Sequence, residues 1–287
     1  MSDVAAVVVS YNVRDLLLRC IASLKADGVT EIVVVDNASR DGSADAVRRA
    51  DPDVTVLALD TNIGFGAGAN RGVARTTAPY VLVLNPDVVV EPGSTKALVD
   101  ALERDPQVGV VGPRIETEDG TTYPSARAFP TLVDAAGHAF LHFIWPTNPF
   151  SRRYRMLDWD RASARDVDWV AGTHILIRRE AWDAVHGFDE AFFMYMEDVD
   201  LSWRLRRKGW RTRYDPTARV THLIGRSTDQ TPYRMILAHH RSMLLFARRS
   251  TSGPARALIP VMAVALAVRT VLAWIQRAFR GRPHAAI

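Results

Sequence analysis

Four short apolar runs, each ending in a polar cluster, restrict this chain to a small set of folds. They occupy residues 4–9, 31–35, 54–59 and 80–84 and are rich in β-branched side chains, as buried strands are. Helical stretches separate them. Leu16, Leu17, Ile21 and Leu24 recur at helical spacing, and Gly28 follows as a stop. Residues 43–50 and 66–76 also read as helices. Strands alternating with helices predict an α/β fold, with a mostly parallel sheet covered by helices on both faces.

The polar clusters are Ser10-Tyr11-Asn12, Asp36-Asn37-Ala38-Ser39, residues 60–64, and Asn85-Pro86-Asp87. Ligands of open α/β sheets bind beyond the carboxyl ends of the strands, so the site is expected there. Asp87 at a strand end has the chemistry to hold a hard divalent cation against a diphosphate. The same tripeptide also makes an ordinary turn.

A second acidic centre opens a helix expected from Glu197 or Asp198 to Lys208, closed by Gly209. Asp200 and Arg204 have the spacing of a helical ion pair. Glu197 and Asp198 then remain, beside the aromatic and methionine-rich run 192–196. Partial burial there would raise a carboxyl pKa and suit it to general-base work.

A rival reading comes from Gly64-Phe65-Gly66-Ala67-Gly68-Ala69. It satisfies the dinucleotide fingerprint, with Asp87 about 20 residues on, and would suit an NAD(P)-dependent oxidoreductase. Two earlier strand units with their own polar ends, and the acid-rich helix start, weigh against it.

Order weakens over residues 124–168, where Pro130, Pro146 and Pro149 suggest a loop-rich insertion or lid, and returns at 169–177. The net charge of +4 is modest, but ten arginines follow Leu223 and only Asp229 opposes them. From Pro232 the tail looks helical. Its uncharged stretch 257–268 falls short of the roughly 20 residues that a span needs. With Arg256, Pro260, Arg269 and Trp274 it reads as an interfacial helix on a membrane, or one packed on the main domain or another subunit. Cys20 is the sole cysteine, which fits a reducing compartment, and the first residues lack a secretory pattern, so a cytoplasmic location is expected. The arginines lack an interleaved aromatic platform, so nucleic acid is not an expected partner.

Five separated motifs occur in one order. They are Val8-Val9-Ser10-Tyr11-Asn12; Val35-Asp36-Asn37-Ala38-Ser39 with Asp41-Gly42-Ser43; Asn62-Ile63-Gly64-Phe65-Gly66 with Asn70; Leu84-Asn85-Pro86-Asp87; and Met196-Glu197-Asp198-Val199-Asp200-Leu201 with Arg204. In this the chain resembles family 2 glycosyltransferases of the Rossmann-like GT-A fold, nearest to bacterial rhamnosyltransferases of surface polysaccharide. The resemblance covers residues 4–227 and implies a catalytic domain over 1–227 and a basic helical tail over 228–287.

The resemblance implies roles as well. Ser10, Tyr11 and Asp36 would line the base and ribose pocket, with Asn12 beside them. Asn62, Gly64, Asn70 and Asn85 would border the nucleotide and its diphosphate. Asp87 would hold Mg2+ or Mn2+, with His222 completing the site and Asn85 standing where a first carboxylate is commoner. Trp169, Ala171 and Gly172 would face donor sugar and acceptor. Asp198 would be the base of an inverting transfer and Glu197 would shape the site. The implied donor is dTDP-L-rhamnose, with UDP-sugars next. The implied acceptor is a GlcNAc-type sugar on a polyprenyl diphosphate, met by a tail peripheral on the inner face of the plasma membrane. A homodimer stays open.

Overall fold

The computed structural model describes residues 3–131, 134, 137, 141, 145–223 and 232–279. Gly225, Ser227, Arg226, Arg280, Arg282 and the 227/228 boundary lie outside the described residues.

Twelve strands are formed among the described residues: β1 (Val4–Ser10), β2 (Glu31–Asp36), β3 (Thr55–Ala58), β4 (Tyr80–Leu84), β5 (Val88–Val90), β6 (Val108–Thr117), β7 (Thr122–Tyr123), β8 (Ala126–Arg127), β9 (Arg165–Val167), β10 (Trp169–Val170), β11 (His174–Arg178) and β12 (Arg211–His222). The helices are α1 (Arg14–Ala26), α2 (Ser43–Ala50), α3 (Phe65–Val73), α4 (Ser94–Glu103), α5 (Pro149–Arg155), α6 (Arg179–Ala184), α7 (Glu197–Arg207), α8 (Pro232–Ser250) and α9 (Ile259–Phe279).

The central sheet runs β3-β2-β1-β4-β11-β6-β12-β5. β3, β2, β1 and β4 are parallel. β11 runs antiparallel to both β4 and β6, so the second half is mixed. Strand alternation explains the helices on both faces. Val4, Ala6 and Val8 point into one core with Leu17, Val47 and Leu98, from α1, α2 and α4. Val7 and Val9 point into the other with Phe65, Ala181 and Leu201, from α3, α6 and α7. Neither face of β1 is polar, as expected of a strand buried on both sides.

The glycine-rich segment departs from the dinucleotide reading. Phe65 N–H, at the start of α3, donates to the Phe193 carbonyl at 3.0 Å. A side chain at Gly64 (φ +92°) would collide with that carbonyl, and one at Gly68 would crowd Val9. These glycines bring α3 against the sheet and the 188–197 loop. They form no open cradle for a pyrophosphate, and the oxidoreductase reading falls.

The tail also differs from expectation. α9 is 21 residues long, and Gly253–Ile275 is long and apolar enough to cross a membrane. Pro260 does not interrupt it, because it occupies the first turn, where a missing N–H costs nothing. α8 joins the tail to the domain: Phe246 packs with Trp169, Phe192, Met196 and Val199, and Ser242 Oγ donates to the Met194 carbonyl at 2.9 Å. α9 packs on α8 through Thr270 and His240, 2.6 Å apart. It leaves Val261, Val264, Val268, Val271 and Ile275 exposed on one stripe.

Gly72 tests the α3 contact. A side chain there would collide with Val7 and Val35. Overpacking costs about 1–3 kcal/mol, against up to ~1 kcal/mol that alanine gains in a helix. Gly72→Ala should therefore lower the stability measured by urea unfolding; an unchanged midpoint would show that α3 is not pressed on the sheet.

Candidate active site

The polar strand ends meet at one edge of the sheet. Ser10 and Asp36 are ladder partners at the ends of β1 and β2. Both are buried, and Ser10 Oγ and Asp36 Oδ1 have no hydrogen-bond partner. Burial raises the Asp36 pKa, against bonds from Ser39. Buried polar atoms are nearly always satisfied, so a pair unmatched among the described residues at a strand end is a candidate ligand position.

Several expected residues instead hold loops. Asn12 (φ +53°) accepts from Arg40 N–H at 2.7 Å, and its own N–H donates to Ser39 Oγ at 2.8 Å. Tyr11 is half-buried beside it. Asn62 accepts from Gly64 N–H at 3.0 Å. Asn70 donates to the Phe188 carbonyl at 2.9 Å and accepts from Phe188 N–H at 3.0 Å, so its amide ties α3 to the 188–190 loop. Asn37, named only within a motif above, does comparable work: it donates to the Gly64 carbonyl and accepts from Ile63 N–H.

Asp87 and His222 are brought together although 135 positions apart. β5 pairs antiparallel with β12, setting His222 opposite Val88. Leu223 N–H donates to the Asp87 carbonyl, and His222 Nε2 lies 3.1 Å from Asp87 Oδ1. Two ligands of one octahedral ion at about 2.0–2.1 Å stand about 3 Å apart, so the pair fits a shared divalent cation. Asp87 is buried, and His222 Nδ1 has no partner among the described residues. Among the described residues no third His, Cys, Asp or Glu joins them. The remaining ligands would come from phosphate and water.

Asp198 sits in the first turn of α7, whose three acids suit the positive end of the helix. Two consecutive left-handed residues, Tyr195 and Met196, turn the chain into this helix. Asp198 Oδ2 accepts from Gly172 N–H at 2.8 Å, and Oδ1 accepts from Val199 N–H at 2.8 Å. Gly172 lies in the turn between β10 and β11. Trp169 and Ala171 lead into it, anchored by Trp169 Nε1–H to the Ala128 carbonyl and Ala171 N–H to the Ser125 carbonyl. Asn85 N–H donates to the Thr173 carbonyl, joining the Asp87 loop to the same turn.

The three acids of α7 have different surroundings. Asp200 is spent on Arg204 Nε at 2.6 Å, and Arg204 also donates to the Val185 and Gly187 carbonyls. Burial, then the charge of Asp198, holds Glu197 well above the usual carboxyl range, and its Oε2 has no partner. Burial also raises Asp198, but the two backbone N–H groups and the Arg127 guanidinium oppose it. One proton on Glu197 and one charge on Asp198 is the favoured state of the pair.

Two residues that the sequence reading missed belong to the strands around this turn. Arg127 lies among Tyr123, Tyr154 and Trp169. Only the β8–β10 pairing places it there, and no local sequence signal marks it. His174 is fully buried with neither ring nitrogen bonded, and burial pushes its pKa down to about 3.

The Glu197 assignment has a pH signature. A carboxyl raised in the folded state favours folding at acid pH, and that stability is lost as pH rises through the folded value. Glu197→Gln removes the loss. Its melting temperature should exceed that of wild type above the Glu197 titration and lose this advantage at acid pH. Parallel curves would contradict a protonated Glu197.

Four similarities bear on this geometry. Residues 5–199 match the family described as Glycosyl transferase family 2. The chain is 40% identical over 267 residues to an N-acetylglucosaminyl-diphospho-decaprenol L-rhamnosyltransferase of Mycobacterium tuberculosis, covering 88% of this chain and 87% of that protein. It is 27% identical to a rhamnosyltransferase of Escherichia coli, over 75% of this chain and 81% of the relative. In fold it is similar to a mannosyltransferase of Pyrobaculum calidifontis solved with GDP-Man and Mn2+, with a TM-score of 0.61 at 18% identity, over 98% of this chain and 76% of that one. The parallel half-sheet with its polar strand ends and the acid-opened helix α7 thus sit within a matched family, and this chain belongs to glycosyl transferase family 2 as a glycosyltransferase of GT-A fold.

Proposed function

We propose that this enzyme moves L-rhamnose from dTDP-L-rhamnose to a GlcNAc-type sugar on a polyprenyl diphosphate, in one inverting displacement with Asp198 as base. The substrate pair rests on the 40% identity to the Mycobacterium tuberculosis enzyme, whose name gives the sugar moved and the acceptor. The chemistry rests on one observation: a carboxylate that is half-buried and oriented by two backbone N–H groups. A UDP-sugar is the second donor reading.

Ser10 and Asp36 would hold the donor base and ribose through the unmatched oxygens of their side chains. Asp87 and His222 would hold a divalent ion, Mg2+ or Mn2+, which when bound neutralises charge on the departing diphosphate. Trp169, Ala171 and Gly172 border the sugar. Asp198 takes the proton of the acceptor hydroxyl as its oxygen bonds to the anomeric carbon and the bond to the diphosphate breaks. Attack opposite the leaving group inverts that carbon. Neutral Glu197 beside it adds no second negative charge. The exposed stripe of α9 and the tail arginines would rest on an anionic membrane surface, where each basic residue contributes about 1 kcal/mol.

Asp198→Asn should lower transfer by at least the ~10²–10⁴-fold that general-base help supplies, with dTDP binding unchanged. Near-wild-type turnover would refute the base. In the same assay Asp87→Ala should abolish the effect of EDTA on dTDP affinity; a retained EDTA effect would place the ion elsewhere. Removal of residues 253–287 should release the protein from anionic liposomes in flotation, and undiminished flotation would refute attachment by α9.

A further inference from the structure

We propose that Arg127 and Arg155 form an anion subsite on the acceptor side of Asp198, built for the phosphate next to the acceptor sugar. The inference rests on the acceptor reading above.

Arg127 lies opposite Trp169 in the β8–β10 ladder. Its guanidinium is 5.7 Å from the ring centre of Tyr123, 5.6 Å from that of Tyr154 and 5.4 Å from that of Trp169. Nε donates to the Pro124 carbonyl at 2.9 Å and Nη2 to the Tyr123 hydroxyl at 3.1 Å; the Tyr154 hydroxyl is 3.5 Å from Nη1. Aromatic faces and neutral oxygens thus fix the plane of the fork, and no carboxylate pairs with it among the described residues.

The neighbouring arginines share that deficit. Arg155 is half-buried and makes no ion pair among the described residues. Arg161 is buried, leans on the carbonyls of Ala126 and Arg155, and leaves its Nε unbonded. Burial and the charge of Arg127 both lower the pKa of Arg155, and Arg161 is repelled by both. Four other arginines on this side are matched: Arg153 with Asp134, Arg206 with Asp168, and Arg211 and Arg213 with Asp166. Residues 132–144 contain no acid other than Asp134.

Concentrated positive charge in a cleft is costly unless an anion meets it. Asp198 feels the Arg127 charge, but no hydrogen bond or ion pair joins the two among the described residues. The base must face the acceptor hydroxyl, so a cation beside it meets the acceptor. The nucleotide residues Ser10 and Asp36 lie on other strands, at the ends of β1 and β2. A planar guanidinium suits the bidentate geometry of a phosphate.

Farnesyl diphosphate, titrated by calorimetry in EDTA against the full chain, is the direct probe. Arg127→Met should weaken it about 10-fold or more, the loss typical of a charged hydrogen bond. Arg155→Met should weaken it measurably, and it carries the test if the first variant unfolds. dTDP affinity in Mg2+ should stay unchanged in both. In kinetics, Arg155→Met, which does not act on the Asp198 charge, should raise KM for a prenyl-diphospho-GlcNAc but leave kcat/KM for octyl β-GlcNAc, which has no phosphate, as in wild type. Undiminished farnesyl diphosphate binding, equal losses on the two acceptors, or weakened dTDP binding would each overturn the subsite. If the probe binds through both arginines while no GlcNAc acceptor is glycosylated, the subsite stands and the acceptor reading falls.

Discussion

The hydrogen bond from Gly172 N–H to Asp198 Oδ2 joins the two halves of the site. Gly172 belongs to the turn between β10 and β11, and the next residue, Thr173, accepts from Asn85 N–H at the end of β4. Two short bonds therefore connect the acidic start of α7 with the loop that carries Asp87. A side chain at Gly172 would stand 3.2 Å from Asp198 Cβ, tighter than ordinary contact. A larger residue there would press on Asp198 unless the two moved apart by a few tenths of an ångström.

Around that bond the fold assigns different tasks to neighbouring acids. Asp200 is neutralised by Arg204 and serves the helix and the 185–187 turn. Burial and the charge beside it hold the Glu197 pKa well above the usual carboxyl range. Asp198 alone combines partial exposure, backbone N–H donors and a nearby cation. Like charges in one buried site cannot both persist cheaply, so the protonation of Glu197 and the ionisation of Asp198 are one arrangement.

Much of this was legible in sequence because it is periodic or terminal. The all-apolar β1 announced a strand buried on both faces, and the polar residues after β1, β2 and β4 announced the ligand edge. The spacing of Asp200 and Arg204 announced their helical ion pair, which the structure forms. What sequence concealed depends on pairings between distant segments. The β8–β10 ladder sets Arg127 beside Trp169 with no local signal for it, while the β5–β12 ladder brings His222 to Asp87 as only the family resemblance had implied. The glycines of 64–68 misled because a close helix–sheet contact and a phosphate cradle ask for the same residue. Pro260 misled because a proline in a first helical turn looks, in sequence, like a helix breaker.

The single displacement is the central chemical claim, and the anomeric configuration of the product tests it most directly. NMR of the disaccharide formed from a donor of known configuration should show inversion at the transferred sugar carbon. Retention would require a covalent or same-face route, and would contradict a site in which Asp198 acts only as the base.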